Sequence, residues 1–134
     1  MRVQEVLTRF QNPFRIFFGA GFIVAGLYHF INPDFYYPMM PGWFPAPSAL
    51  NLAAGAAEVV LGAGLLMSKY ARLASYGIIG LMVLFIPAHV YMIQVGGCVS
   101  EAVCLPLWAA WVRLVVLHPL IILAAWWAGR SGDG

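Results

Sequence analysis

Charge is what this sequence lacks most. Seven Lys and Arg and five Asp and Glu make up 9% of its 134 residues, against roughly 25% in an ordinary soluble domain. So few charges cannot cover a soluble surface. The shortage excludes a disordered chain, a coiled coil and a soluble nucleic-acid binder, and the net charge of +2 is too small for the last of these. Long polar stretches are also missing, so no segment between the apolar runs can fold as a separate domain. Phosphate-loop, dinucleotide-fold and zinc-protease motifs are absent, as is any internal repeat. Cysteine is limited to two residues. What is present is apolar: 63% of residues are hydrophobic, and mean hydropathy is +0.85. That balance points to an integral membrane protein.

Four apolar runs stand out, at about 14–31, 47–67, 71–93 and 105–129. Each matches the roughly 20 residues that a helix needs to cross a bilayer. Helices are expected, because a lone strand leaves its backbone unpaired in lipid. The first run has Glu5, Gln4, Gln11 and Asn12 in its approach, and its small residues lie inside the run. It reads as a retained span and not as a cleaved leader. The expectation is an all-α, single-domain, integral membrane four-helix bundle.

Arg2, Arg9, Arg15, Lys69, Arg72 and Arg130 fall in the two tails and the short middle loop. The loops at about 32–46 and 94–104 hold no Lys or Arg. By the positive-inside rule both termini are cytoplasmic and those two loops face outward. The expected location is a bacterial inner membrane.

The first outward stretch, read through to the start of the second run as Asn32–Pro47, holds five prolines, which exclude a regular helix. It is also rich in Phe, Tyr, Trp and Met, so it belongs on the rim of the bundle. Two readings stand open: an aromatic interface anchor, or a lid over a pocket.

Five ionisable residues lie within or at the ends of the runs: His29, Glu58, His89, Arg113 and His118. Each ionised group at a bilayer centre costs about 2.5–3.5 kcal/mol on insertion scales. They are expected to face inward and to pair. All sit between the midplane and the outward side, which fits an outward-opening pocket better than a wire across the membrane. Gly55 and Gly62 share a helix face with Glu58, and Ala25 and Gly26 share one with His29. Such small residues let helices approach closely. Glu58 with Arg113 is the candidate ion pair, holding helices in register or lining a ligand pocket. Arg113 and His118 are about 140° apart on an unbroken helix, so one point cannot receive both unless Pro119 bends the span. Pro87 plays the same part near His89. The histidines differ in height, and no metal site is expected.

Cys98 and Cys104 share the second outward loop. Their spacing and the oxidising exterior favour a disulfide. It either fastens the loop or exchanges electrons with an outside partner or a bound quinone.

The stretches Gly26–Tyr36, Met40-Pro41, Gly55–Leu66 and Phe85–Met92 together resemble the DoxX family of small four-helix bacterial membrane proteins. Arg113-Leu114 resembles the start of an Arg-Leu-Pro-Leu-Gln pattern in that family's fourth helix. The Pro and Gln of that pattern would fall near Val115 and Leu117. The likeness runs from about Phe14 to Trp127. The family takes its name from a subunit associated with thiosulfate:quinone oxidoreductase, and some members are linked to thiol and oxidative-stress systems. The resemblance implies a quinone-linked redox subunit or accessory in thiol or sulfur metabolism. Glu58, His29 and His89 would then be catalytic, with Arg113, His118, Asn32 and Tyr36 binding substrate. A quinone is the cofactor implied. Membrane lipid, a redox or thiol-system protein and a second copy of the chain are the partners implied. A non-enzymatic scaffold and a lipid-modifying isomerase are the alternative readings.

Overall fold

The computed structural model describes residues 2–133. Among them the strand-like feature is one isolated antiparallel bridge, Cys98 to Cys104, and the rest of the regular structure is helical. Helix α1 covers Val3–Ile31 and α2 covers Pro47–Leu66. The third rod joins α3, Ala71–Leu84, to α4, Ile86–Gln94. The fourth joins α5, Leu107–Val112, through a π turn at Arg113–Leu117 to α6, His118–Gly129. The four rods are long and apolar enough to cross a membrane. Phe17, Val60, Leu73 and Leu123 are among many large apolar side chains exposed around the outside, a surface suited to lipid rather than water.

Helix α1 begins well before the apolar run at Phe14. Glu5 closes its first turn, accepting from the Arg2 backbone N–H at 3.1 Å. Hydropathy registers the stretch that crosses hydrocarbon, not the polar turns that extend it. Pro47 starts α2 at a position where no backbone donor is needed. Ala46, just before it, has a left-handed φ of 45°, which turns the chain sharply into the helix.

Both later rods are interrupted at the prolines noted in the sequence. Pro87 has no N–H to give the Val83 carbonyl, and the third rod breaks at Phe85. In the fourth rod the His118 N–H donates to the Arg113 carbonyl, five residues back. That widened turn precedes Pro119 and sets Arg113 and His118 one turn apart.

The tightest seam joins α1 to α2, antiparallel. Buried positions on α1 are Arg15, Gly19, Gly26 and His29, and on α2 Asn51, Gly55, Glu58, Gly62 and Leu65. Gly19 faces Gly62, and Gly26 faces Gly55. A Cβ on Gly26 would lie 2.7 Å from the Gly55 carbonyl oxygen, so no other residue fits without parting the backbones.

Two apolar clusters bracket the bundle. Towards the termini, Leu65, Ala74, Ile78, Met82 and Ala125 pack with Phe18, Phe22 and Leu61. Towards the two long loops, Met92, Val103 and Ala110 pack with Phe35, Met39 and Leu105. In every rod the polar residues fall between these clusters in chain order. His29 lies between Phe22 and Phe35, Glu58 and Asn51 between Leu61 and Met39, His89 between Met82 and Met92, and Arg113 and His118 between Ala110 and Ile121. The result is a polar layer enclosed by two apolar ones.

Candidate functional site

The glycine seam brings His29 against α2. His29 Nδ1 lies 2.7 Å from Asn51 Oδ1, and Asn51 Nδ2 donates to the His29 backbone carbonyl at 2.9 Å. The carbonyl only accepts, so the Asn51 amide is fixed with its oxygen towards the ring. His29 Nδ1 is then the donor in that bond, and Asn51 sets its tautomer. On the opposite side of the ring, Nε2 is 3.3 Å from Glu58 Oε2. The contact sets a carboxyl group beside the imidazole nitrogen that Asn51 leaves free. His29 and Glu58 are 6% and 7% exposed, so bulk water reaches neither freely. Glu58 Oε2 has no hydrogen bond of good geometry among the described residues.

Tyr36 covers this dyad. Its ring stacks on His29 with centroids 3.6 Å apart and planes 12° apart. The loop that carries it folds as two short 3-10 turns, Pro33–Phe35 and Tyr37–Met39. Tyr28 and Phe35 pack on the Tyr36 ring by their edges. Burial first, then the charge of Glu58 and the neighbouring Tyr28, push the Tyr36 phenol up to about 12, and Arg113 pulls the other way. Asn32 does not enter the site. It is exposed, and its Nδ2 donates to the Tyr28 hydroxyl at 3.0 Å.

The expected Glu58–Arg113 ion pair does not form. Glu58 faces α1 through the glycine seam, whereas the π turn aims Arg113 at α4. There Arg113 Nη1 meets Met92 Sδ at 3.7 Å. His89 and His118 stand edge to face beside it, with centroids 4.8 Å apart. His118 Nε2 lies 2.6 Å from the Met82 carbonyl, next to the interruption in the third rod. The carbonyl accepts, so Nε2 carries a proton. The intramembrane polar residues therefore form two groups, Asn51–His29–Glu58 and His89–His118–Arg113, with Tyr36 close enough to feel both Glu58 and Arg113. Among the described residues no three His, Cys, Asp or Glu side chains come together as a metal set.

Two residues escaped the sequence reading. Asn51 lies four residues before Gly55, and Arg15 four before Gly19. Extending each glycine stripe by one step finds both. Arg15 is buried, and its Nη1 donates to the Leu65 carbonyl near the end of α2. It caps carbonyls that the helix leaves unpaired.

Cys98 and Cys104 are joined in a disulfide, with Cα atoms 3.9 Å apart. Both are exposed, while Val103 between them is buried against the rim cluster that holds Phe35 and Met39. Gly97, at φ 92°, shapes the entry to this hairpin.

Comparison with known proteins adds one family. Residues 18–128 match the family described as "Domain of unknown function (DUF8561)". No curated protein and no solved structure matches the chain. The match spans most of the chain, from the middle of α1 almost to the end of α6, and the chain belongs to the DUF8561 family.

Proposed function

We propose that the Asn51–His29–Glu58 group is a membrane-embedded proton-exchange site for a quinone. The protein would serve as a quinone-linked redox subunit or accessory in thiol or sulfur metabolism, as its resemblance to the DoxX family implies. The observation that carries this is the buried approach of His29 Nε2 to Glu58 Oε2, 3.3 Å apart. Reducing a quinone to a quinol takes two electrons and two protons. Within hydrocarbon those protons must come from a fixed group. A buried acid beside an imidazole of set tautomer is a general acid–base pair. The electrons would come from a dithiol or sulfur reductant on the side of the long loops. A quinone head group reaches the dyad once Tyr36 leaves its stacked position.

The placement of Lys and Arg supports a bacterial inner membrane, with both termini cytoplasmic. The polar layer then lies in the outer half of the bilayer, where the tail of a quinone has lipid to occupy.

The test is solvent extraction of the purified protein, quantifying quinone against a Glu58→Gln control. Near-stoichiometric quinone that is lost in the control supports the proposal. No enrichment over bulk lipid refutes it. A non-enzymatic scaffold is the second reading. Its motive is that Asn51, His29 and Glu58 bond one another and lock α1 to α2. A stable protein partner recovered with wild type and Glu58→Gln alike, with no quinone in either, would favour it.

A further inference from the structure

Helix α1 is longer than a membrane crossing needs. The 20 residues of α2 span about 30 Å, the thickness of a hydrocarbon core. Arg15 donates to the Leu65 carbonyl near the end of α2, and Gln11 Nε2 donates at 2.7 Å to the Trp127 carbonyl near the end of the fourth rod. The turns before Gln11 therefore project past the ends of those rods. Val3 lies twelve residues before Arg15, or about 18 Å further out. A head-group layer takes up only about 5–7 Å of that. On this spur Val3, Leu7 and Phe10 are 75%, 49% and 59% exposed, while Gln4, Glu5, Thr8, Arg9 and Asn12 occupy its other sides. Lipid tails do not reach this level, so the three apolar side chains meet water or protein.

They begin a longer pattern. Val3, Phe10, Phe17, Val24 and Ile31 recur every seven residues, and Leu7, Phe14, Gly21 and Tyr28 fall between them, in steps of four and three along the whole helix. Apart from Phe14, which packs on Trp127, every member is exposed. Inside the bilayer such a stripe is ordinary lipid-facing surface. On the spur it stands among polar residues, and a sustained seven-residue repeat is the seam of a left-handed coiled coil. The positions flanking it on the spur, Gln4, Val6, Gln11 and Pro13, carry no charge, and Arg2, Glu5 and Arg9 lie off it. A seam of the same sequence therefore meets no like charge. Gly19 and Gly26, which pack on α2, lie on the opposite side of α1 from the stripe, so the bundle leaves it free. Towards the long loops the stripe is hollowed into a groove of about 490 Å³, lined by Val24, Tyr28 and Ile31 among others. The side chains of a facing helix insert into such holes.

We infer that this stripe is the interface of a homodimer, in which α1 of one copy packs in parallel against α1 of a second. A membrane holds both copies in one orientation, so the two-fold axis stands along the bilayer normal and each position meets its own counterpart. On the side of the long loops the seam reaches Tyr28, which packs on Tyr36, so the second copy flanks the roof of the dyad. The assignment uses neither Glu58 nor His29 and stands apart from the quinone reading.

The two cysteines are joined to each other, so one added thiol is unique. The experiment oxidises full-length Phe10→Cys, on the stripe, and Glu5→Cys, on the far side of the same spur, in isolated membranes. Phe10→Cys should form a covalent dimer in several-fold higher yield than Glu5→Cys. Leu7→Glu should weaken dimerisation in mild detergent, read by light scattering, at least about tenfold, because each copy would bury an unpaired carboxylate. Thr8→Glu adds the same charge off the stripe and should leave the dimer intact. Both glutamates lie outside the hydrocarbon, so the single chain keeps its fold. Equal cross-linking of the two cysteine variants, or the same mass for wild type and Leu7→Glu, overturns the inference. So does cross-linking of Phe10→Cys to another polypeptide in place of a second copy, which would assign the spur to a different partner.

Discussion

Adding one methyl group at Gly26 should damage this protein, whereas adding it at Gly21 or Gly80 should not. At Gly26 the new Cβ would lie 2.7 Å from the Gly55 carbonyl oxygen and 2.8 Å from Val59 backbone and side-chain atoms. Ordinary contact starts at 3.4 Å, so α1 and α2 must part by about 0.7 Å at that point. Neither obstacle is a flexible side-chain tip that could swing aside. Overpacking of this kind costs about 1–3 kcal/mol. A gap of 0.5–1 Å also forfeits roughly a quarter to a half of each dispersion contact along the seam. Gly21 and Gly80 have nothing within 4 Å of the same construction, and both lie mid-helix. There alanine should be neutral or stabilising by up to about 1 kcal/mol, since glycine is the poorer helix former. The assay is equilibrium unfolding in detergent of the three single variants beside wild type. Gly26→Ala should fall below wild type while the two controls do not. If Gly26→Ala proves as stable as Gly80→Ala, the close glycine seam does not exist in solution, and the placement of His29 against Asn51 and Glu58 falls with it.

Four further outcomes follow from the same geometry. His118→Leu strands the buried Met82 carbonyl and should cost about 1–3 kcal/mol in the same unfolding assay; a neutral result would remove His118 from the break in the third rod. Glu58→Leu leaves the buried His29 Nε2 unpartnered, whereas His29→Leu with Glu58→Leu removes both partners, so the double variant should be more stable than the single. Strict additivity of the two would mean that the side chains do not interact. The Tyr36 phenol sits at about 12 when folded and near 10 in an unfolded chain. The folded state therefore holds its proton more tightly, and this contribution is complete below pH 10 and lost as pH rises towards 12. Tyr36→Phe should show a shallower fall in stability over that window, and an identical fall would refute the covered position of the ring. Reducing Cys98–Cys104 should speed hydrogen exchange in residues 33–40 but not in the middle of α2, because Val103 between the cysteines packs against Phe35 and Met39; unchanged exchange in 33–40 would disconnect the two loops.

Much of the fold was legible because hydrophobic runs and prolines are local signals. Span two was expected at about 47–67 and is helical over Pro47–Leu66, since Pro47 marks its start. Pro87 and Pro119 announced both irregular rods. Neither the full break at Phe85 nor the π form of the turn at Arg113 could be read from them. Partnership was harder. Glu58 has two candidate partners, His29 and Arg113, and sequence heights alone cannot say which faces it; the seam chose His29, and the π turn turned Arg113 away. Asn51 was passed over because a neutral amide does not stand out in a scan for charge, although it is the residue that orients His29. Arg15 was counted with the tail for topology, because the apolar run begins beside it. Burial and the contact with Leu65 set it in the bundle instead.

The two apolar clusters determine which side the polar layer can serve. Towards the termini, Leu65, Ile78 and Ala125 are fully buried, and the buried polar side chains on that side, Arg15 and Ser75, donate to the Leu65 and Arg72 carbonyls. No chain of titratable groups passes that floor among the described residues, which argues against a conduit through the whole bilayer. Towards the long loops the cover is of another kind. It consists of one stacked tyrosine on a proline-rich segment, held by a few apolar contacts to a disulfide-closed hairpin. On the proposed reading, a dyad with a closed floor and a single-tyrosine roof would exchange protons on one side. That asymmetry suits a quinone entering from the adjoining leaflet better than a solute carrier, which must open to both sides in turn. It also gives the glycine seam a second consequence. A Cβ on Gly55 would lie 2.7 Å from the Cβ of His29, so the residue that lets the helices touch is also the one that leaves room for the imidazole between Asn51 and Glu58.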